Sequence, residues 1–533
     1  MAIISMPARR TSPAGRRCPE HGHTARRARD IAAGVLTLCL LMLPAQAAPG
    51  NSSDDAAHRA ALTRWVREHR AGIRTELTDF LSIPNVSHDL SAIEANARRL
   101  ETMFAARGMT LQCFEGEGGP YLFARLPPEA PATGKRAPVV LFYAHYDGQP
   151  VDRARWTRGE PFSPTLVGRP GDADARLYGR SASDDKAPIV ALLAAIDGLR
   201  AAGIPPNIDA KFILDPEEES GSPHLEATLA AHRDLLAADL LIFADGPVHQ
   251  SGRPTLVFGT RGIITVSLTL YGPAVPLHSG HYGNWAPNPA EKLASLLASM
   301  KDDSGHVLVD GFYDDVVPLT GTERAALARV PPEEPDLMKR LLIFRPDGNG
   351  RRLQELLNEP SLNVRGLAAA WVGEAARTIV PDTATAEIDL RLVRDIDPME
   401  QVDRLRAHLR RQGYTVVGAE PDAAFRRAHA RVVRLTHGAG TRASRTPMDT
   451  PLSRAVIAAV SRAAMVEPVL LPTLGGTGPL SRFEALLDLP TYGVPIVNPD
   501  NNQHSPDENL RLGNLWDGIV IYASLLRLTP PAR

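Results

Sequence analysis

Four short apolar runs in this chain each stop at an acidic or imidazole side chain, and that repetition constrains the fold more than any other feature. Residues 138–144 (PVVLFYA) lead to His145-Tyr146-Asp147, and residues 211–214 (KFIL) lead to Asp215-Pro216-Glu217-Glu218-Glu219. Residues 239–244 (DLLIFA) lead to Asp245, and residues 493–497 lead through Asn498–Gln503 to His504. Continuous apolar runs bounded by Gly and Pro are the mark of parallel strands buried on both faces. In open α/β sheets the crevice beyond the carboxyl ends of such strands is where ligands bind. The expected fold is therefore α/β, a mostly parallel sheet flanked by helices, with its polar cluster at one end.

At 533 residues the chain is too long for one ordinary domain. Residues 1–47 combine seven arginines, an apolar stretch at 31–43 and Ala45-Gln46-Ala47, the pattern of a cleavable signal peptide. The expected location is thus secreted or periplasmic, with Arg26-Arg27 a weak hint of twin-arginine export. Losing those residues removes seven Arg, one Glu and one Asp, which takes the net charge from −2 to −7. A mildly acidic mature chain has no electrostatic case for nucleic acid or for an anionic membrane. Cys113 would be the single remaining cysteine, so no intramolecular disulfide is available; it is expected to be an ordinary buried side chain.

Helical spacing of apolar residues runs over 55–81, 90–107 and 186–200, the last directly after Asp184 and Asp185. Beyond residue 260 the pattern changes. Residues 264–270 and 384–392 alternate apolar with polar, as half-solvated strands do, and residues 289–300 and 398–412 have helical spacing. Half-exposed strands with single helices describe a small α+β domain covered on one side. It must interrupt the larger domain, because His504 has to return to the cluster built by residues 145–245. The expected division is a signal peptide at 1–47, a catalytic domain at 48–259 and 447–533, and an inserted α+β lid and dimerisation domain at 260–446.

Imidazole nitrogens and carboxylate oxygens are the donors a divalent ion of zinc type takes, and a carboxylate can bridge two ions. His145, Asp184, Glu219, Asp245 and His504 are five such donors. Asp147 stands two residues from His145 and can fix its tautomer, and Glu218 adjoins a ligand, where a general base for hydrolysis belongs. Taken singly these signals are weak. His-x-Asp arises by chance, Asp184-Asp185-Lys186 can be a solvated turn with a local ion pair, and an acidic run is usually an exposed loop. The shared pattern at four strand ends is what favours two metal ions.

Residues 143–148 (YAHYDG), 178–186 (YGRSASDDK), 218–222 (EESGS) and 277–280 (LHSG), followed by Gly475-Gly476-Thr477 and 501–505 (NNQHS), resemble the dinuclear-metal peptidases of the M20 family. That family includes carnosinases, aminoacylases, desuccinylases and glutamate carboxypeptidases, and the chain resembles the carnosinase-type dipeptidase branch most. The resemblance covers essentially the whole mature chain. It implies two divalent ions per subunit, one on His145, Asp184 and Asp245 and the other on Asp184, Glu219 and His504. Zinc leads, with manganese and cobalt also accepted. It implies Glu218 as proton acceptor for a water shared by the metals, Asp147 as orienting acid, and a cis bond between Asp184 and Asp185. Arg391, Gly476 and Thr477 would bind substrate, a small peptide or an acylated amino acid. His278 would reach the site of a partner subunit in a homodimer formed through the lid. Ser181 and Ala187 stand where glycines are usual, Pro276 where an acid is usual and Thr477 where serine is common. The expected activity is amide hydrolysis in a dipeptide; a deacylase or desuccinylase on the same scaffold, or a binding relative without catalysis, are the alternatives.

Overall fold

The computed structural model of this protein describes residues 52–129 and 136–529. The signal-peptide reading of residues 1–47 lies outside them. The larger sheet has eight strands, and its centre is made by the four runs that end in candidate ligands. In spatial order these are Asp209–Asp215, Val139–His145, Leu240–Phe243 and Thr491–Gly493, each parallel to the next. Antiparallel strands Tyr121–Leu126 and Gln112–Phe114 extend one side. Thr255–Val257 and Val469–Leu471 close the other. The fourth strand, Thr491–Gly493, precedes the run the sequence suggested and shares only Gly493 with residues 493–497. Pro495 has no N–H to donate to a ladder, so the strand stops at Gly493 and the chain continues as a buried loop.

Alternate side chains of the central strands fill two separate cores. Val140, Phe142 and Ala144 point to a layer containing helices Ser52–Leu81, Lys186–Ala201, Pro451–Ala464 and Leu512–Leu525. Leu141 and Tyr143 point to the opposite face, where Phe243, Phe483 and Leu229 meet them. Burial on both faces is the reason the middles of these strands are largely apolar. Cys113 departs from expectation. It lies on the edge strand Gln112–Phe114 and is exposed, because that strand buries only Phe114.

A second, five-stranded sheet has its own core. Its order is Ser361–Ala368, Thr383–Leu392, Gly262–Tyr271, Val432–His437 and Thr415–Val417. Thr383–Leu392 alternates half-buried and buried residue by residue, and its inner side chains meet helices Pro289–Ala298 and Pro398–Arg411. Asp397 caps the second helix by accepting from the Met399 and Glu400 amides, with Pro398 in the first turn. Not all of 260–446 packs on this sheet. Helix Gly321–Ala328 and Val330 lie on the larger sheet instead, covering Val257, Val469 and Leu471 at its edge. The outermost strand there has an apolar face, and this segment removes it from water.

Glu484, on helix Leu480–Leu487, is largely buried and accepts from the Thr491 hydroxyl at 3.1 Å. Burial pushes its carboxyl up from about 4.5 to about 7. A carboxyl that holds its proton more tightly folded than unfolded weakens folding as pH rises through that window. Glu484→Gln keeps the acceptor and removes the charge. It should raise stability by about 2 kcal/mol at pH 8, with the gain vanishing below about pH 4.5. Urea midpoints of both proteins at three pH values check this; a pH-independent difference would remove the linkage.

Candidate metal centre

His145 is the last residue of its strand, and its imidazole is fully buried. Nδ1 lies 3.1 Å from Asp147 Oδ1, while Nε2 lies 2.8 Å from Asp184 Oδ1 and 3.9 Å from Asp245 Oδ2. Asp147 does more than face the imidazole. Its oxygens also accept the backbone amides of Glu218 at 3.1 Å and Glu219 at 3.0 Å, and the Ser87 hydroxyl. One carboxylate thus sets both the ring of His145 and the turn that presents two further acids. That turn, Glu218–Ser220, is a single 3₁₀ turn ended by Gly221 at φ 88°.

Asp184 stands between two imidazoles. Its Oδ1 faces His145, and its Oδ2 lies 3.1 Å from His504 Nε2, which is in turn 3.1 Å from Glu219 Oε2. Ligand-capable atoms fall into two groups whose members lie within 4.8 Å of one another: His145, Asp185 and Asp245, and Asp184, Glu219 and His504. All five expected donors are brought together, and the Asp184–Asp185 bond is cis. Asp185 was not foreseen. It accepts the His145 amide at 3.2 Å through Oδ2, and its buried Oδ1 has no partner. The one signal in the sequence was a second acid directly before a mostly apolar helix. Lys186 makes no local ion pair; its fully buried ammonium turns away and donates to the Phe80 and Ile83 carbonyls, both at 2.9 Å.

The pairing that brings Asp184 to His504 spans most of the chain. Strand Arg176–Tyr178, just before Asp184, pairs with Asn509–Arg511, just after His504. Ser181 has φ 61°, the left-handed region that glycine enters without a Cβ penalty. Its hydroxyl accepts from Asn85 at 2.9 Å, a contact glycine cannot make.

The electrostatics fit divalent ions. Burial, then the neighbouring Asp184 charge, pushes Asp245 up to about 7. Burial above all, with Asp245 adding to it, raises Asp185 and Glu218 well above the carboxylate range. Bonds to Asp184 and Glu219 push His504 up to about 10. Burial opposes the charge on His145, but bonds to Asp147 and Asp184 outweigh it and raise that group too. Asp184 goes the other way: its bonds to His145 and His504 outweigh burial and hold it below the usual carboxylate range. The one nearby lysine, Lys186, points elsewhere. A nitrogen-and-oxygen donor set with an excess of buried negative charge is what two divalent cations require.

Two candidate substrate residues also meet. Arg391 Nη1 donates to Thr477 Oγ1 at 2.8 Å and its Nε is 3.8 Å from Asp389. The neighbouring Gly476 carbonyl accepts the Arg261 amide at 3.1 Å. His278 is not brought to the acids. It is exposed, pairs through strand Leu277–His278 with Ile379–Val380, and its ring contacts are the Gly280 amide and the His281 ring.

Against known proteins, the model of peptidase family M20/M25/M40 matches residues 141–528. The chain is 27% identical over 391 residues to human Beta-Ala-His dipeptidase, covering 72% of this chain and 74% of that protein. It is 25% identical over 469 residues to the Cys-Gly metallodipeptidase dug1 of Schizosaccharomyces pombe, covering 84% and 94%. Among solved structures it is similar to the M20 family metallo-carboxypeptidase Sso-CP2 from Sulfolobus solfataricus, with a TM-score of 0.72 and 28% identity over 86% of this chain and 98% of that one. Human carnosine dipeptidase 1 shares the fold, with a TM-score of 0.69 and 23% identity over 88% and 98%. A donor cluster of this kind at the centre of a fold and sequence so matched means that the chain belongs to peptidase family M20/M25/M40 and is a metallopeptidase.

Proposed function

We propose that this enzyme hydrolyses the amide bond of dipeptides. The observation that carries the reading is Asp184, one oxygen on each of two imidazoles, with Glu218 beside the same cluster. His145, Asp184 and Asp245 would hold one divalent ion and Asp184, Glu219 and His504 the other; zinc, manganese and cobalt all suit these donors. When bound, such ions polarise a carbonyl and make water more acidic. Glu218 takes the proton of the attacking water and returns it to the leaving amine. Asp147 keeps His145 in one tautomer and keeps the Glu218 turn in register. Arg391, held by Thr477, offers a fork to the substrate's terminal carboxylate. The relatives named as dipeptidases favour this substrate class over N-acyl amino acids.

Asp184→Ala should empty both metal sites, whereas Glu218→Gln should keep the metals and lower turnover by about 100-fold or more. Metal-to-protein ratios and initial rates on free dipeptides and on N-acyl amino acids are the measurements. A fully active Glu218→Gln protein would sink the mechanism, and faster cleavage of N-acyl substrates would replace the substrate class.

A homodimer through residues 260–446 is part of the same reading. Strand Ser361–Ala368 is an edge of its sheet, and Leu367 on it and Trp371 and Val372 just after it are exposed. An unpaired strand edge with exposed apolar side chains is a surface suited to a second copy. His278, which has only local contacts, would then enter the partner's site and donate to the developing oxyanion, a contribution of about 3–4 kcal/mol. His278→Ala should cut kcat about 100–1,000-fold with metal content unchanged. Mixing inactive His278→Ala with inactive Glu218→Gln chains should restore activity, because some mixed dimers carry one intact site. No recovery after verified subunit exchange would place the histidine's action within its own chain or nowhere.

We also propose export, on the basic, then apolar, then small-residue order of positions 1–47. Mature protein from the periplasm or medium should begin near residue 48; a cytoplasmic protein retaining residues 1–47 would refute this.

A further inference from the structure

Glu508 is fully buried and lies four residues after His504, outside both donor groups. Its carboxylate is saturated by the segment that carries Asp184. Oε1 accepts the Ser183 amide at 2.9 Å, the Ser183 hydroxyl at 2.9 Å and the Asp184 amide at 3.1 Å. Oε2 accepts the Ser181 amide at 2.9 Å and Arg180 Nη1 at 2.7 Å. Its backbone carbonyl accepts the Gly179 amide at 3.0 Å. Every group around the side chain is therefore a donor, and the amide of Asp184 itself is one of them.

We propose that Glu508 is a positioning residue for the metal centre: it fixes the backbone from which Asp184 projects and locks that backbone to the loop bearing His504. This rests on the reading of Asp184 and His504 as metal ligands. The physical need is specific. Asp184 must hold one oxygen toward each imidazole, so a small rotation of its backbone improves one contact at the expense of the other. Its own segment has little regular structure between strand Arg176–Tyr178 and helix Lys186–Ala201. Five bonds to one rigid carboxylate replace that missing structure. The neighbouring Asp507 extends the anchorage, accepting the Thr157 and Arg158 amides at 2.8 and 2.9 Å. A glutamine at 508 cannot substitute. Its amide nitrogen is a donor, and in either orientation it faces donors.

The test is Glu508→Gln in the full chain, with wild type beside it. Zinc affinity is read by competition with a chromophoric chelator, kcat and KM by steady-state rates, and amide exchange of residues 181–184 in the metal-free proteins. Expected are a 10–100-fold loss of zinc affinity, a fall in kcat with KM little changed, and exchange at those amides accelerated beyond the global loss of stability that the urea midpoint reports. Wild-type zinc affinity and kcat in a folded Glu508→Gln protein would overturn the proposal. If that variant does not fold, Ser183→Ala, which removes one of the five bonds, decides: a several-fold loss of zinc affinity supports the role and none overturns it. A wild-type chain that binds no metal would instead defeat the metal reading itself, while the exchange comparison would still report whether Glu508 orders residues 181–184.

Discussion

The structure is organised around a concentration of buried carboxylates with no lysine or arginine side chain among them. Asp147, Asp184, Asp185, Glu218, Glu219 and Asp245 converge on two imidazoles. Such a cluster is unfavourable in a low-dielectric interior unless external positive charge completes it. The fold bears that cost through position. Four acids and one histidine sit at or just past the ends of adjacent parallel strands, so the sheet fixes their spacing. The stability they do not supply comes from the two apolar layers on either face.

Strand ends alone do not hold side chains to the tolerance that a two-ion site demands. Behind the donors stands a further set of acids, each occupied by backbone amides. Asp147 takes the amides of Glu218 and Glu219, Asp185 that of His145, and Asp215 that of Glu217 at 2.9 Å. Glu217 in turn accepts Tyr121 Oη at 2.8 Å and the His224 amide at 2.8 Å. A carboxylate accepts in two fixed directions, which makes it well suited to hold irregular backbone. Part of the acidic run that resembles an exposed loop in the sequence is thus scaffolding, and only Glu218 and Glu219 face the cluster.

How much of this was legible follows from the range of the interactions. The parallel centre was legible because burial on both faces leaves an uninterrupted apolar run, as in 138–144. The second sheet was legible because one-sided burial leaves alternation, as in 384–392. What Asp185 does was not legible, although its place before a mostly apolar helix was. Its partner is a backbone amide forty residues away, and backbone amides carry no sequence signal. That segment 321–330 covers the larger sheet was not legible for a similar reason. Its apolar residues announce burial but not against what. Cys113 was misplaced because a three-residue edge strand is too short to display a period.

The insertion of the second sheet has its own physical logic. The chain leaves the larger sheet after Val257 and returns at Ser444, and the two passages lie side by side. Thr260 and Ser444 exchange amide and carbonyl or hydroxyl bonds at 3.0 Å, and the Thr446 amide reaches Phe258 O at 2.6 Å. A Cβ at Gly259 would collide with the Ser444 carbonyl, and one at Gly262 with that of Thr441. The crossing is therefore a paired, glycine-dependent stalk between the two sheets. Arg391 and Arg261 lie where this stalk meets the Gly475–Thr477 loop, with Arg261 bonded to that loop and Arg391 to Thr477.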